Sequence, residues 1–570
     1  MTSHARTTRL DPDYRAAAIA DLDDTEIDVL VIGGGVTGAG AALDAASRGL
    51  SVTMVEARDF AAGTSSRSSK LIHGGLRYLE QMDFALVREA LKERGLLLNS
   101  LAPHLVHPVS FLFPLQHRVW ERAYIGAGIA LYDTLGGARS VPMHKHLSRT
   151  KALELAPALT DDAMTGAIRY YDAQVDDARH TMMLARTAAD AGATVLTRTK
   201  VVGLLREGDR VTGATVEDLE TGVTHQIKAK TVISATGVWT DDMIEMTGVE
   251  FPFHVQMSKG VHIMVPRERL NMDTGLIMRT EKSVLFVIPW AEHWIIGTTD
   301  TEWSLDKNHP TASAADVQYI LDHVNSLLRE PLTRADIVGT YAGLRPLMTG
   351  ATKETAKLSR EHAVAEPAPG LFVIAGGKYT TYRVMAKDVV DAAAQRLGRP
   401  VAPSATEFMP ILGAEGYYEL RATLLSDPEG LVERAGLSTE VIEHLLGRYG
   451  SLITELFDLV AADPSLARPI EGAPNYIAAE VVYAATSEGV LHLDDLLTRR
   501  TRISIEVPDR GLTAAQDIGR LVAGPLGWDN DRVDDEVNAY FDRVHAELAA
   551  NEATTDASAN AARLVTARWL

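Results

Sequence analysis

The apolar pattern changes period repeatedly along the chain, and each change marks an element. Leu30, Val31 and Ile32 form a continuous apolar run of the kind buried in a parallel sheet. An Ala-rich stretch follows to Arg48, with Gly49 as the expected C-cap, and Ser51 to Val55 reads as a second strand. Further on, a helix-like run from Arg179 to Ala191 leads into the strand Ala193 to Leu196. Alternating segments with turn signals at Glu207-Gly208-Asp209 and Glu220-Thr221-Gly222 predict a β-meander, closed by Thr231 to Gly237. Val261 to Val265, Val284 to Ile288 and Trp294 to Gly297 suit an antiparallel sheet. Leu371 to Ala375 is again an apolar strand, followed by Gly376-Gly377-Lys378 and a helix. Pro400-Val401-Ala402-Pro403 marks a boundary, beyond which Leu431 to Ala435, Val441 to Tyr449 and Ile477 to Ser487 carry helical patterns. Residues 1–25 read as a polar, mobile extension, and the Ala-, Thr- and Asn-rich tail after Ala550 is expected to fray.

The first strand and helix are joined by Gly33-Gly34-Gly35-Val36-Thr37-Gly38, and the second strand ends on Glu56. Gly33 permits the tight turn, Gly35 lets backbone approach a pyrophosphate, Gly38 allows the helix to pack closely on the sheet, and Glu56 can accept from both ribose hydroxyls. The helix N-terminus favours an anion through its N–H groups and dipole. This unit predicts dinucleotide binding.

Composition narrows the chemistry. The 570 residues, 46% hydrophobic, exceed one compact core and predict two or three domains. The absence of cysteine excludes disulfides, thiolate catalysis and a flavin-linked dithiol relay, and no metal is expected. A net charge of −20 argues against nucleic acid as a partner. No stretch approaches 18 consecutive apolar residues and the first 25 resemble no signal peptide, so a cytoplasmic protein is expected.

NAD enzymes share the glycine fingerprint, so the choice of cofactor rests on the segment after Glu56. Gly63 to Tyr78 carries a row of hydroxyls, basic groups and glycines suited to the polar atoms of an extended cofactor. Ala235-Thr236-Gly237 after a buried strand points the same way, and no second fingerprint for NAD(P)H is found. FAD is therefore expected, with reduction by an organic substrate as the first reading, although some flavin monooxygenases bind NADPH without a second fingerprint. Thr64, Ser65, Ser69, Leu71, Val201, Gly237, Gly377 and Thr380 are assigned to it with Gly33, Gly35, Gly38 and Glu56.

Four separated motifs, Ser68 to Glu80, Ile296 to Thr301, Ala342 to Leu347 and Gly376 to Arg383, together resemble the FAD-dependent glycerol-3-phosphate dehydrogenases, and Asp494 to Arg502 resembles that family's C-terminal signature. The resemblance covers roughly residues 26–540. It implies an FAD-binding Rossmann-type, two-dinucleotide, glutathione-reductase-like α/β domain built from 26–100, 180–245 and 345–400. An antiparallel-sheet substrate domain would comprise 101–179 and 246–344, a helical C-terminal domain 401–550, and a tail 551–570. It further implies oxidation of sn-glycerol 3-phosphate to dihydroxyacetone phosphate, with electrons passed to a membrane quinone. An oxygen-using oxidase of the same substrate, an amino-acid oxidase of similar fold and a noncatalytic FAD-binding membrane scaffold are the competing readings.

Such a substrate needs cations, a base and the flavin within reach. Arg345 is the expected phosphate clamp, with Arg77 and Tyr78 as helpers. His262 is the expected base, with His73 as its competitor beside Gly74 and Gly75. Lys378, at a predicted helix start, is placed to stabilise the developing alkoxide or the reduced flavin, and Thr299 and Asp300 are expected to line the same cavity. Residues 117–151 carry a local excess of Arg and Lys around the apolar run Ala123 to Tyr132. A peripheral attachment to the inner face of the cell membrane is expected there; an apolar helix packed in the substrate domain explains the run equally well. Whether the chain forms a homodimer is left open.

Overall fold

The computed structural model describes residues 8–75, 83–117, 120–136, 141–249, 253–280, 284–350, 362–426 and 436–565. Its organising element is a parallel sheet in which Ile27–Ile32 lies between Val52–Val55 and Thr224–Ser234. Thr194–Leu196 extends it on one side and Leu371–Gly376 on the other, all parallel, and His362–Ala368 closes one edge antiparallel. The β-meander is formed by Thr199–Glu207, Arg210–Asp218 and Thr224–Ser234. Central strands are apolar on both faces because both are covered: Val36–Ser47, Asp177–Asp190 and Tyr382–Ala394 pack over Val29 and Val31 on one face, and the β-meander packs over Leu30 and Ile32 on the other.

The second sheet has ten strands, with Phe253–Pro266 paired to both His293–Gly297 and Gly339–Gly350. Its antiparallel character holds with one exception: Gly275–Arg279 runs parallel to Val106–Leu115. More than 150 residues of chain separate these strands, long enough for the crossover that a parallel pair requires. One face of the sheet is covered by Ala314–Asn325 and the other by Trp120–Gly136, so apolar clusters form on both sides.

The C-terminal region is helical, with Thr439–Tyr449, Ile453–Ala462, Ala478–Ser487, Leu512–Leu526 and Asn530–Glu552 as its main helices. The run Leu431 to Ala435 lies outside the described residues. Arginines fasten this region to the cofactor sheet. Arg500 forms a two-pronged pair with Asp59 at 2.7 Å on each arm, and Arg499 joins at 2.5 Å. Burial works against the Asp59 carboxylate, yet the two guanidiniums outweigh it and hold its pKa down at about 2.

Both ends of the described chain depart from the expectation of mobility. Pro12–Ala20 is a helix capped by Asp11, Leu10 is 3% exposed beside Glu488, and Arg15 pairs with Asp218 at 2.5 Å. At the other end Asp556–Leu564 is a helix with Ala559 and Arg563 buried, and Asp556 meets the buried Lys259 ammonium at 2.5 Å. A polar composition suggested fraying. The anchors are instead ion pairs and bridges to residues far away in sequence, which local composition does not reveal.

Candidate active site

The turn after Ile32 is forced tight by contact. Gly33 has φ +112°, and a Cβ on Gly38 would stand 1.8 Å from the Gly33 carbonyl oxygen, so neither position admits a side chain. The helix beginning at Val36 therefore opens toward the end of the sheet, with Gly35 as an N-cap that contributes no side-chain bond. Glu56 fixes the turn: Oε2 accepts from Gly34 N–H at 2.7 Å and Oε1 from Arg58 N–H at 2.8 Å. Each oxygen keeps a lone pair for a ribose hydroxyl.

These groups line one cavity of about 690 Å³ running from the glycine turn to the second sheet. Gly33, Gly35, Glu56, Thr64, Ser65, Ser69, Leu71, Val201, Gly237, Gly377 and Thr380 all line it, as do His73, His262, Arg345 and Lys378. Gly38 acts from behind, by packing. Arg77 and Tyr78 lie outside the described residues.

Two expectations require correction. Thr299 does not line the cavity: its hydroxyl accepts from Val261 N–H at 3.0 Å, and its carbonyl receives both terminal nitrogens of Arg345 at 3.3 Å. It positions Arg345. Nor is the hydroxyl row after Gly63 directed wholly at a ligand. Thr64 donates to the Leu344 carbonyl, Ser68 donates to Asp177, and Ser69 pairs with His262. A tightly wound segment must satisfy its own buried polar atoms first. Ser65 only accepts, from Val36 N–H at 2.9 Å, and so retains its hydrogen for a ligand.

His262 and Arg345 stand on neighbouring strands, where Ser258 pairs with Arg345 and His262 with Tyr341. The His262 ring is 2% exposed, stacks on Tyr341 at a centroid distance of 4.7 Å, and has Nε2 2.8 Å from Ser69 Oγ. Burial, then the charges of Arg345 and Lys70, hold the imidazolium pKa well below 6.5, so the ring is neutral at working pH. Arg345 also touches Thr298 Oγ1 at 3.2 Å and the Asp300 carboxylate at 3.3 Å, with about a third of its side chain exposed toward the cavity. Lys378 begins the turn Tyr379–Thr381 that leads into Tyr382–Ala394.

A layer of residues beneath these went unassigned in the sequence. Lys70, fully buried with φ +58°, pairs with Asp177 at 2.6 Å and places its ammonium 4.9 Å over the Tyr341 ring. Arg502 reaches the same Asp177 at 2.5 Å and Asp176 at 2.6 Å. The helical region thereby props the loop that carries Ser68 and Ser69. Strand alternation was the available signal for Tyr341, since Tyr341, Gly343 and Arg345 share one face.

The donor set fits FAD. A helix N-terminus and backbone amides face the pyrophosphate end, a carboxylate with open lone pairs meets the ribose, and cations and a neutral imidazole stand at the far end. Among the described residues no group of three or more His, Asp or Glu is arranged to hold a metal ion.

Comparison with known proteins agrees. Residues 28–392 match the family described as FAD dependent oxidoreductase, and residues 404–533 match the C-terminal domain of alpha-glycerophosphate oxidase. Glycerol-3-phosphate dehydrogenase 2 of Mycobacterium tuberculosis is 56% identical over 554 residues, covering 97% of this chain and 94% of that protein. The mitochondrial glycerol-3-phosphate dehydrogenase of Homo sapiens is 36% identical over 96% of this chain and 78% of its own length. The crystal structure of the glycerol-3-phosphate dehydrogenase from Bacillus halodurans complexed with FAD superposes with a TM-score of 0.77 at 28% identity, covering 94% of this chain and 98% of that one. The chain belongs to the FAD-dependent oxidoreductases and, within them, to the glycerol-3-phosphate dehydrogenase family.

Proposed function

We propose that the protein oxidises sn-glycerol 3-phosphate to dihydroxyacetone phosphate and passes the electrons to a membrane quinone. The observation that carries this reading is the placement of a neutral buried imidazole and a guanidinium on adjacent strands, both opening onto the cofactor cavity. Bound FAD supplies a two-electron acceptor for the hydride leaving the carbinol carbon. Arg345 holds the substrate phosphate, a planar fork being suited to two phosphate oxygens. Ser69 and His262 carry the alcohol proton: the Ser69 hydroxyl lines the cavity and passes it to Nε2, 2.8 Å away. Lys378 stabilises negative charge developing at the alcohol oxygen. Asp177, Lys70 and Tyr341 keep the imidazole plane fixed from below.

The test is anaerobic stopped-flow reduction of the holoenzyme by glycerol 3-phosphate. His262→Asn should reduce its flavin at least about a hundredfold more slowly. A normal rate in that variant with a slow rate in His73→Asn would transfer the role to His73, which also lines the cavity. Oxygen is the second acceptor to consider, because the C-terminal match is to a glycerophosphate oxidase domain. Peroxide formed in step with substrate consumed, without quinone reduction, would decide for it.

The membrane contact in this proposal is the outer face of Trp120–Gly136. Trp120, Tyr124 and Leu131 are exposed at 62, 58 and 38%, spaced along one stripe of a helix whose other face is buried under Ile125, Ile129 and Tyr132. Arg122 is turned inward onto the Leu147 carbonyl and Arg118 and Arg139 lie outside the described residues, while Lys145, Arg149 and Lys151 stay exposed and can add attraction to an anionic surface beside the aromatic stripe. Among the described residues no helix is long and apolar enough to cross a membrane. Liposome flotation should be lost in Trp120→Ser with Tyr124→Ser; flotation equal to the parent protein would refute attachment through this helix.

A further inference from the structure

A second, smaller cavity of about 60 Å³ lies behind the active site, where the Ser66–Arg67 turn, strand Gly339–Gly350, the segment 498–505 and the last two helices converge. Five arginines stand in its walls, Arg67, Arg499, Arg502, Arg543 and Arg563, against one carboxylate, Glu547. Three of the five are matched elsewhere: Arg499 by Asp59 and Asp495, Arg502 by Asp176 and Asp177, and Arg543 by Asp494 at 2.9 Å. Arg67 and Arg563 have no carboxylate within 4.0 Å among the described residues. Arg67 donates to the Asn308 carbonyl at 3.4 Å, and Arg563, 5% exposed, donates to His309 Nδ1 at 3.2 Å.

Arg563 is buried on a neutral partner alone and Arg67 is half-buried between this cavity and the cofactor cavity; a guanidinium so placed is costly without a counter-charge, and a small anion supplies one. We infer that this cavity is a binding site for a tetrahedral oxyanion of the inorganic phosphate class, gripped by Arg67 and Arg563, with Ser504 also in its wall. Its volume admits about four waters, or one such ion, and excludes a nucleotide. Burial and the neighbouring arginines weigh against the charge of both residues, pulling Arg67 to about 9 and Arg563 to about 10; both stay protonated at neutral pH. Burial and the same arginines keep His309 neutral, so its Nδ1 can accept from Arg563.

The site joins two parts of the molecule. Arg563 rides on Asp556–Leu564, the helix that Lys259 ties down through Asp556. Arg67 lines the cofactor cavity as well, and its backbone packs against Gly343, two residues before Arg345. An oxyanion there fixes the C-terminal helix against the wall of the active site.

The experiment is hydrogen exchange with mass spectrometry on the FAD-loaded full chain, with inorganic phosphate or with sodium chloride at matched ionic strength. Phosphate should slow exchange across residues 553–565 at least about tenfold relative to chloride. The effect should persist in Arg345→Gln, whose defect is at the substrate site, and vanish in Arg563→Gln and in Arg67→Gln. Calorimetric titration of phosphate into Arg345→Gln should still show one site, and Arg345→Gln with Arg563→Gln should bind at least about tenfold more weakly. Equal slowing by chloride, no slowing in the parent protein, or slowing retained in both Arg563→Gln and Arg67→Gln would overturn the assignment. Flavin reduction by glycerol 3-phosphate is read separately, so failure of the catalytic reading leaves this measurement intact.

Discussion

Replacing Arg345 by Gln probes the substrate's phosphate end with little structural cost. In the structure Arg345 donates to the Thr299 carbonyl and the Thr298 hydroxyl and pairs with an Asp300 that is itself 36% exposed. A pair this open contributes about 0–1 kcal/mol, so the variant should keep its FAD and unfold within a few degrees of the parent protein. Against a bound phosphate the loss is larger. Two charge-assisted hydrogen bonds contribute about 3–6 kcal/mol together. Setting against them about 1 kcal/mol for the Asp300 contact that must loosen leaves roughly 2–5 kcal/mol, or about 30- to 5,000-fold in kcat/KM. The assay is anaerobic flavin reduction by glycerol 3-phosphate and by glycerol. The variant should lose that factor for the phosphorylated substrate and almost nothing for the free polyol. A loss under about threefold, or an equal loss for both, would refute the clamp.

Gly38→Ala places a methyl 1.8 Å from the Gly33 carbonyl oxygen, so the turn must open, and the purified variant should carry less than about a tenth of the parent's flavin per chain. Because burial, Arg345 and Lys70 keep His262 neutral, the rate of flavin reduction should stay level from about pH 8 down to 6.5; a decline centred near 7 would show a different base. His492 has the opposite sign. Burial disfavours its charge, but hydrogen bonds to Glu220 and Glu536, each at 2.9 Å, outweigh that and raise its pKa to about 9. Its contribution, on the order of 3 kcal/mol, is fully present below about pH 6.5 and lost as pH rises through 9, so denaturant unfolding should show falling stability across that window and a weaker fall in His492→Gln.

The glycine turn, its flanking strands and Glu56 were legible in the sequence because their constraint is local: an apolar run, three spaced glycines and an acid at the next strand end. The β-meander and the strand from Leu371 were legible for the same reason, being set by turn residues and period. Thr299 and the hydroxyl row misled because residue type reports what a side chain can bond, while the fold decides what it does bond. Lys70, Asp177 and Arg502 escaped notice for a different reason. Their pairing spans 107 and 325 residues, and with 56 basic and 76 acidic side chains in the chain nothing local selects those partners. The helix at Asp556–Leu564 was hidden in the same way, its anchor Lys259 lying 297 residues upstream.

The central claim is that a flavin seated on the glycine turn takes a hydride from a phosphorylated alcohol held by Arg345. The most direct measurement is the visible spectrum of the anaerobic holoenzyme as sn-glycerol 3-phosphate is added. Stoichiometric loss of the oxidised-flavin band, with release of one dihydroxyacetone phosphate per flavin, is the predicted result. A yellow protein whose spectrum is unchanged by the substrate at any concentration would contradict it.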